Sequence, residues 1–213
     1  MTVASRTAQL LNREFFHRDS VTVAKALLGC ELIRQDRDGK CLGGVIVETE
    51  AYLGVEDKAA HAFGGRRTVR NESMYAQAGT SYVYFTYGMH HCFNVVCGAK
   101  DEPVAVLLRA LEPTQGIEKM MQRRQHRRRR TPVRPTDLCS GPAKLCQALD
   151  IDRSLDGVDL CANDQLFIEP SRSRHVAASE IIASPRIGVA YAQEWAVRPL
   201  RFHLANSPHV SRK

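Results

Sequence analysis

The segment VIVETEAYLG carries two acids, Glu48 and Glu50, two residues apart. In a strand, that spacing puts both carboxylates on one face. The segment is apolar up to Val47, so the acids mark the point where a strand leaves the core and reaches a cleft. A carboxylate beside an arginine stays ionised and can work as a general base. Arg109 is the candidate partner, because it interrupts the apolar run VLLRALEP and a buried arginine needs an anion. The same three residues also fit a purely structural ion-pair cluster.

A second segment, TSYVYFTYGMHH, holds three of the chain's six tyrosines. Tyr82 and Tyr84 share a strand face, and Tyr87, just before Gly88, is placed to project from a turn or bulge. Aromatics beside a basic surface can stack on bases and wedge into a duplex. They equally fit a sheet core with satisfied hydroxyls. His61, and the pair His90–His91 near Cys92 and Cys97, invite a metal, but zinc sites show tighter paired spacings, so none is expected. No G-x-S-x-G elbow, G-x-G-x-x-G or P-loop occurs, which argues against a serine nucleophile of that type and against nucleotide cofactors. Lys144 follows Gly141–Pro142 near a helix start, where it could meet a phosphate or be an ordinary surface lysine.

The elements that must position these groups are legible in outline. A chain of 213 residues, 44% apolar and 25% charged, can bury one proper core. No apolar run approaches the roughly 18 residues of a membrane span, and the first residues lack a signal-peptide core. The expectation is an intracellular protein with no membrane contact, whose seven cysteines, none in C-x-x-C spacing, are mostly buried thiols. Thr7–Phe16 and VTVAKALL read as helices, the second capped by Asp19 or Ser20. CELIRQ and CLGGVIVETEAY read as a hairpin around DRDGK. SYVYFTYG, MHHCFNVVCG and a central VAVLLRALEP follow as strands. PTQGIEKMMQRRQ and AKLCQALD are helices, the latter starting near Ser140. LFIEP, EIIASPRIGVAYA and PLRFHLA complete the strands. The sum is α+β, rich in antiparallel strands.

The net charge of +7 is local. Eight basic residues and no acid lie between Lys119 and Arg134, so without them the net would be 7 − 8 = −1. Residues 122–136 are expected to form a flexible basic loop, in which Arg127 and Arg128 would meet a polyanion through the planar guanidinium fork. A merely solvated loop is the alternative.

Taken together, VETEAY, EDKAAH, YVYFTYGMHHCFN, VLLRALEP, LCSGPAKLCQAL and RIGVAYAQEWAVRPLRF, in that order, resemble the alkyladenine (3-methyladenine) DNA glycosylases of the vertebrate type. The resemblance covers roughly residues 20 to 210. It implies one compact domain, residues 1–213, around a curved antiparallel sheet with surrounding helices and a protruding β-hairpin. It also implies a monomer that needs no metal or organic cofactor. Its partner would be double-stranded DNA containing damaged purines, met in the nucleus or the nucleoid. The implied activity is hydrolysis of the N-glycosidic bond of alkylated or deaminated purines without strand cleavage. By motif position, Glu50 would be the general base, with Arg109 and the Val189 carbonyl holding the water. Tyr52, His61 and Tyr84 would wall the base pocket, Asn94 would floor it, and Tyr87 would fill the gap left by the flipped nucleotide. Met89 and Lys144 fall near the DNA surface. The chain departs from the family in VVCGAKDEP, in the arginine run and at His90–His91. A catalytically silent nucleic-acid-binding module on the same scaffold is the alternative, as is a hydrolase of free nucleosides.

Overall fold

The computed structural model describes residues 10–36, 38–125, 131–170 and 176–212. Two short helices lead the described chain, α1 (Arg13–Phe16) and α2 (Ser20–Ala26). Asn12 caps the first, and Asp19 caps the second by accepting the Thr22 N–H at 2.9 Å. Of the expected helix Thr7–Phe16, residues 7–9 lie outside the described residues, and Leu10–Asn12 are not helical, so the helix begins only after the Asn12 cap. Eight strands follow: β1 (Glu31–Gln35), β2 (Cys41–Tyr52), β3 (Ser81–Thr86), β4 (His90–Cys97), β5 (Val104–Gln115), β6 (Leu166–Glu169), β7 (Ile181–Ser184) and β8 (Arg201–Leu204). Helices α3 (Ile117–Arg124) and α4 (Pro142–Leu149) follow β5.

All strands join one curled antiparallel sheet. Its main path runs β3-β4-β5-β2-β1-β6, with β8 on β2 and β7 on β8. The central place of β5 agrees with its near-continuous apolar run. The sheet forks along β2, whose one edge pairs with β5 throughout. Its other edge pairs first with β1, over Cys41–Val45, and then with β8, over Glu48–Glu50. Gly44 makes the first half possible, since a Cβ there would stand 2.3 Å from the Glu112 carbonyl oxygen. At the fork the β2–β5 register slips twice. Val47 has no partner on β5, and two residues on, Arg109 has none on β2. Such compensating bulges re-aim side chains locally.

The main core lies between the sheet and helices α2, α3 and α4, with Phe16, Leu27, Ile46, Phe93, Leu108, Met120 and Leu145 fully buried. Two satellite cores matter more for function. One gathers Ala62, Met74, Tyr75, Tyr82, Val96 and Ala105, with Tyr84 against it. The other gathers Ala59, Val189, Ala192, Trp195 and Leu200, with Tyr52 against it.

Several expectations shift at element ends. The strand reading of EIIASPRIGVAYA holds only for Ile181–Ser184, because Pro185 stops the ladder and a 3-10 turn forms over Ala190–Trp195. The expected helix start near Ser140 holds, with Gly141 as the N-cap of α4 and Pro142 as its first helical residue. Helix α3 continues to Arg124, two residues beyond the expected start of the basic loop.

The basic run is partly absorbed by the fold. Lys119 pairs with Asp36 and Asp38, Arg123 with Asp150, and Arg134 with Asp137. Buried Arg124 donates to the Leu138 carbonyl and to Gln147. Arg127 and Arg128 lie outside the described residues.

The β3–β4 hairpin protrudes. At its tip Tyr87 and Gly88 both have positive φ, 52° and 67°, and the Met89 N–H donates to the Thr86 carbonyl at 3.2 Å. That is the sign pattern of a type I′ turn, which favours Asn-Gly over Tyr-Gly. Tyr87 is 84% exposed, so no packing offsets its left-handed backbone. Tyr87→Asn should therefore raise the unfolding free energy by about 0.5–1 kcal/mol. Thermal unfolding checks this, and a lower Tm would show that the tip is not strained.

Candidate functional site

Beyond the fork, β2 turns two acids toward one guanidinium. Glu48 and Glu50 are both fully buried. Arg109, carried into the gap by its own bulge, places Nε 3.0 Å from Glu48 Oε1 and Nη1 3.2 Å from Glu50 Oε1. Glu50 also accepts the Ile187 N–H (2.8 Å, Oε1) and the Tyr52 hydroxyl (3.0 Å, Oε2). Glu48 further accepts from Arg201 Nη1 at 3.0 Å and from Ser211. A carboxylate pair this deep is tolerable only because two arginines and several donors meet it.

The two acids end up in opposite states of readiness. Burial pushes the Glu48 carboxyl up, but the Arg109 charge and the Ser211 hydrogen bonds outweigh it and leave it below the ordinary glutamate range. For Glu50 burial wins over Arg109, the Ile187 N–H and the Tyr52 hydroxyl, so its carboxyl sits above the ordinary range. Glu48 is thus the firmly ionised partner and Glu50 the better proton acceptor. Burial weakens the charge on Arg109, yet Glu50 and Glu48 more than restore it.

Above this cluster lies a cavity of about 210 Å³. Tyr52, His61, Tyr84, Asn94, Arg109 and Val189, six of the expected site residues, all line it, and Tyr87 stands at its rim. Glu50 is not on the wall. It lies one hydrogen bond behind it, since Tyr52, Arg109 and Ile187 are all lining residues. On one wall His61 meets Tyr84 edge-on, with ring centroids 4.5 Å apart. Its Nδ1 is 2.7 Å from the Tyr82 hydroxyl. Burial first, then Arg70 and Arg66, pull the His61 pKa down to about 4, so the ring is neutral at pH 7. Burial likewise holds the Tyr52 and Tyr84 phenols neutral. Asn94 faces Tyr82 across the hairpin and commits its Nδ2 to the Tyr82 carbonyl at 3.0 Å, which fixes the amide on the floor.

The other wall is built by two connections locked together. Asp57 and Arg186, both fully buried, form a bidentate pair at 2.5 and 2.8 Å. The guanidinium also covers the Tyr52 ring at 4.6 Å. Lys58 binds Gln193 and Glu194, and Tyr191 donates to the Ala59 carbonyl. These ties carry Ile187 and Val189 to the cavity. The Val189 carbonyl accepts the Ala192 N–H at 2.9 Å, which leaves it one lone pair.

Not every expected residue joins the cavity. Met89, 70% exposed, lies on the hairpin tip, and Lys144 donates to the Ser140 hydroxyl outside the lining. Sequence reasoning missed Arg186, Tyr191, Arg66 and Arg70. Asp57 in EDKAAH gave no usable signal, since it stands between Glu56 and Lys58, and nothing local names Arg186 as its partner. Among the described residues no cluster of three or more His, Cys, Asp or Glu side chains forms a metal site. All seven cysteines are free thiols.

The cavity thus combines the aromatic rings of Tyr52, His61 and Tyr84, the Asn94 amide and the Arg109 guanidinium, with the Glu50 carboxylate one hydrogen bond behind it. The comparisons give that description a family. The sequence model of a family described as methylpurine-DNA glycosylase matches residues 14–208. The chain is 48% identical over 204 residues to the DNA-3-methyladenine glycosylase of Mus musculus, matching 94% of this chain and 61% of that protein's length. It is 46% identical to the human protein of the same name, of which it spans 67%. A relative from Desulfitobacterium hafniense (strain Y51) is 46% identical over 98% of its length. The chain belongs to the methylpurine-DNA glycosylase family.

The Asp57–Arg186 pair sets up a stability test. Asp57→Asn keeps the shape but leaves a buried guanidinium without its anion, so the unfolding free energy should fall by roughly 3–5 kcal/mol. Urea titration reads this directly. A change under about 1 kcal/mol would mean that the pair does not hold the two connections together.

Proposed function

We propose that this chain is a DNA repair glycosylase that extrudes alkylated or deaminated purines from duplex DNA and hydrolyses their N-glycosidic bond. The carrying observation is the Glu50 carboxylate, buried, raised in basicity and held by three residues that line an aromatic cavity. A base inside a duplex hides its sugar carbon, so it must leave the stack, at a cost of a few kcal/mol. Tyr87, exposed on a stiff two-residue turn, fills the vacated space, with Met89 beside it. Arg66 and Arg70 near the mouth, with Lys144 outside it, supply phosphate contacts.

In the pocket the purine lies between Tyr52 and the His61–Tyr84 wall. Cationic purines such as 3-methyladenine and 7-methylguanine gain a cation–π attraction of roughly 0.5–2 kcal/mol from those rings. Water, held by Arg109 and the free lone pair of the Val189 carbonyl, attacks the anomeric carbon. Its proton passes to Glu50, the C–N bond breaks, and its electron pair leaves with the purine. A cationic purine departs neutral, so no acid is needed. Hypoxanthine and ethenoadenine need a proton on the leaving base. His61 is a poor donor at pH 7, which favours the cationic lesions. No lysine lines the cavity among the described residues, which supports water as the nucleophile and an abasic site without strand cleavage. The reaction as written calls for no metal or cofactor. Each step as written is carried by residues of one chain, acting on cellular DNA. A silent binding module would have no use for a buried, basic carboxylate behind its pocket.

Glu50→Gln should slow single-turnover base release by about 10²–10⁴-fold while binding to lesion duplex persists. Undiminished release would remove Glu50 as the base. The base must be ionised, and its carboxyl lies above the ordinary value of 4.5, so the acid limb of the rate should fall above pH 4.5 and vanish in the variant. Asn94→Ser should open the floor to the exocyclic amine of guanine. Excision of undamaged guanine, measured by product release, should then rise about tenfold or more relative to the lesion. Unchanged discrimination would take Asn94 off the specificity list.

A further inference from the structure

We propose that Ser211 and Glu48 form a positioning device: together they hold the Arg109 guanidinium so that one of its nitrogens is reserved for Glu50. This rests on the reading of Glu50 as the base. The segment that carries Ser211 returns across the back of the cluster after β8. The Ser211 N–H donates to Glu48 Oε2 at 2.7 Å and its hydroxyl to Glu48 Oε1 at 2.9 Å. The same hydroxyl accepts from Arg109 Nη2 at 3.3 Å. A serine oxygen has one proton and two lone pairs, so donating to Glu48 while accepting from Arg109 is fully compatible.

The guanidinium is thereby divided among three partners. Nε goes to Glu48, Nη2 to Ser211 and Nη1 to Glu50. Arg201 closes the arrangement, since its Nη1 donates to both Glu48 and the Arg212 carbonyl. Two carboxylates and two guanidiniums balance to zero charge. The family match ends at residue 208, so the Ser211 contact lies beyond what that comparison covers.

The consequence for chemistry is electrostatic as well as geometric. The groups facing Glu50 are Glu48 and Tyr52 on β2, Arg109 on β5 and Arg201 on β8. Tyr84 on β3, Cys92 on β4, and Arg186 and Tyr191 from the connection after β7 complete the set. The phenols and the thiol are held neutral by burial, while their acid partners keep Arg109 and Arg186 charged. Only Glu48 adds a second negative charge. It draws on Arg109 in competition with Glu50 and so keeps Glu50 basic. Without that charge Arg109 would serve Glu50 alone, and the base would weaken.

The test measures single-turnover kcat, apparent KM for lesion duplex and the pH profile in the full chain. Ser211→Ala, which removes the hydroxyl's bonds to Glu48 and Arg109, should lower kcat about tenfold or more, with KM unchanged. Ser211→Thr, which keeps the hydroxyl, should restore it. Glu48→Gln should lower kcat and shift the acid limb to lower pH. Should Glu48→Gln fail to fold, the Ser211→Ala and Ser211→Thr pair decides alone. Wild-type kcat in Ser211→Ala, or loss of kcat that Ser211→Thr does not restore, overturns the proposal, as does an unmoved acid limb in a folded Glu48→Gln. Glu50→Gln, run alongside, separates the two readings. If it is inactive while the Ser211 variants behave as wild type, only the positioning role falls. If it is active, the general base itself is wrong.

Discussion

One shared guanidinium organises this protein. Arg109 is the common partner of two fully buried carboxylates, and its charge offsets the burial of both at once. Charge pairing of this kind adds little net stability, because desolvation costs about as much as attraction returns. Its effect is to make the geometry specific. The guanidinium fork admits few arrangements, and its three partners come from β2 and from the segment after β8. The sheet fork, the paired bulges and the returning 207–212 segment all converge on that one group.

The cavity follows from the same construction. Its walls stand on two satellite cores that lie apart from the main one, so each aromatic is anchored from behind. The hairpin brings Tyr84 and Asn94, while the Asp57–Arg186 lock brings Tyr52 and the Ile187–Val189 backbone. The carboxylate behind the wall is basic because burial there exceeds the help it receives. A more generous set of donors would bind it better and make it a weaker base. The division of roles between Glu48 and Glu50 is therefore one of environment, since the two side chains are chemically alike.

Charge proves a poorer guide than placement. The arginine-rich run accounts for the whole positive balance, yet four of its eight basic residues are occupied within the fold. Arg66 and Arg70, which lie outside that run, bear on the cavity directly through their effect on His61. Adjacent residues in a run have no fixed destination, and which become ligands of the protein itself depends on acids far away in sequence.

Much was legible in the sequence alone, for physical reasons. The turn signal DRDGK and an apolar run named β2 and β5, and an acid pair in one strand with a lone arginine inside the other marked their meeting place. Tyr87 beside Gly88 announced a turn, and motif order identified the family. What the sequence could not decide is anything set by register and by distant partners. Two bulges, invisible to periodicity, aim Arg109 between Glu48 and Glu50. The basicity of Glu50 depends on burial that no local pattern encodes. Arg186 and Ser211, 129 and 163 residues from the acids they meet, acquire their partners only when the chain closes. Local sequence dictates which element forms. Only the tertiary structure decides which charges share a dielectric, and that sharing is what sets two like carboxylates on opposite sides of the ordinary glutamate range.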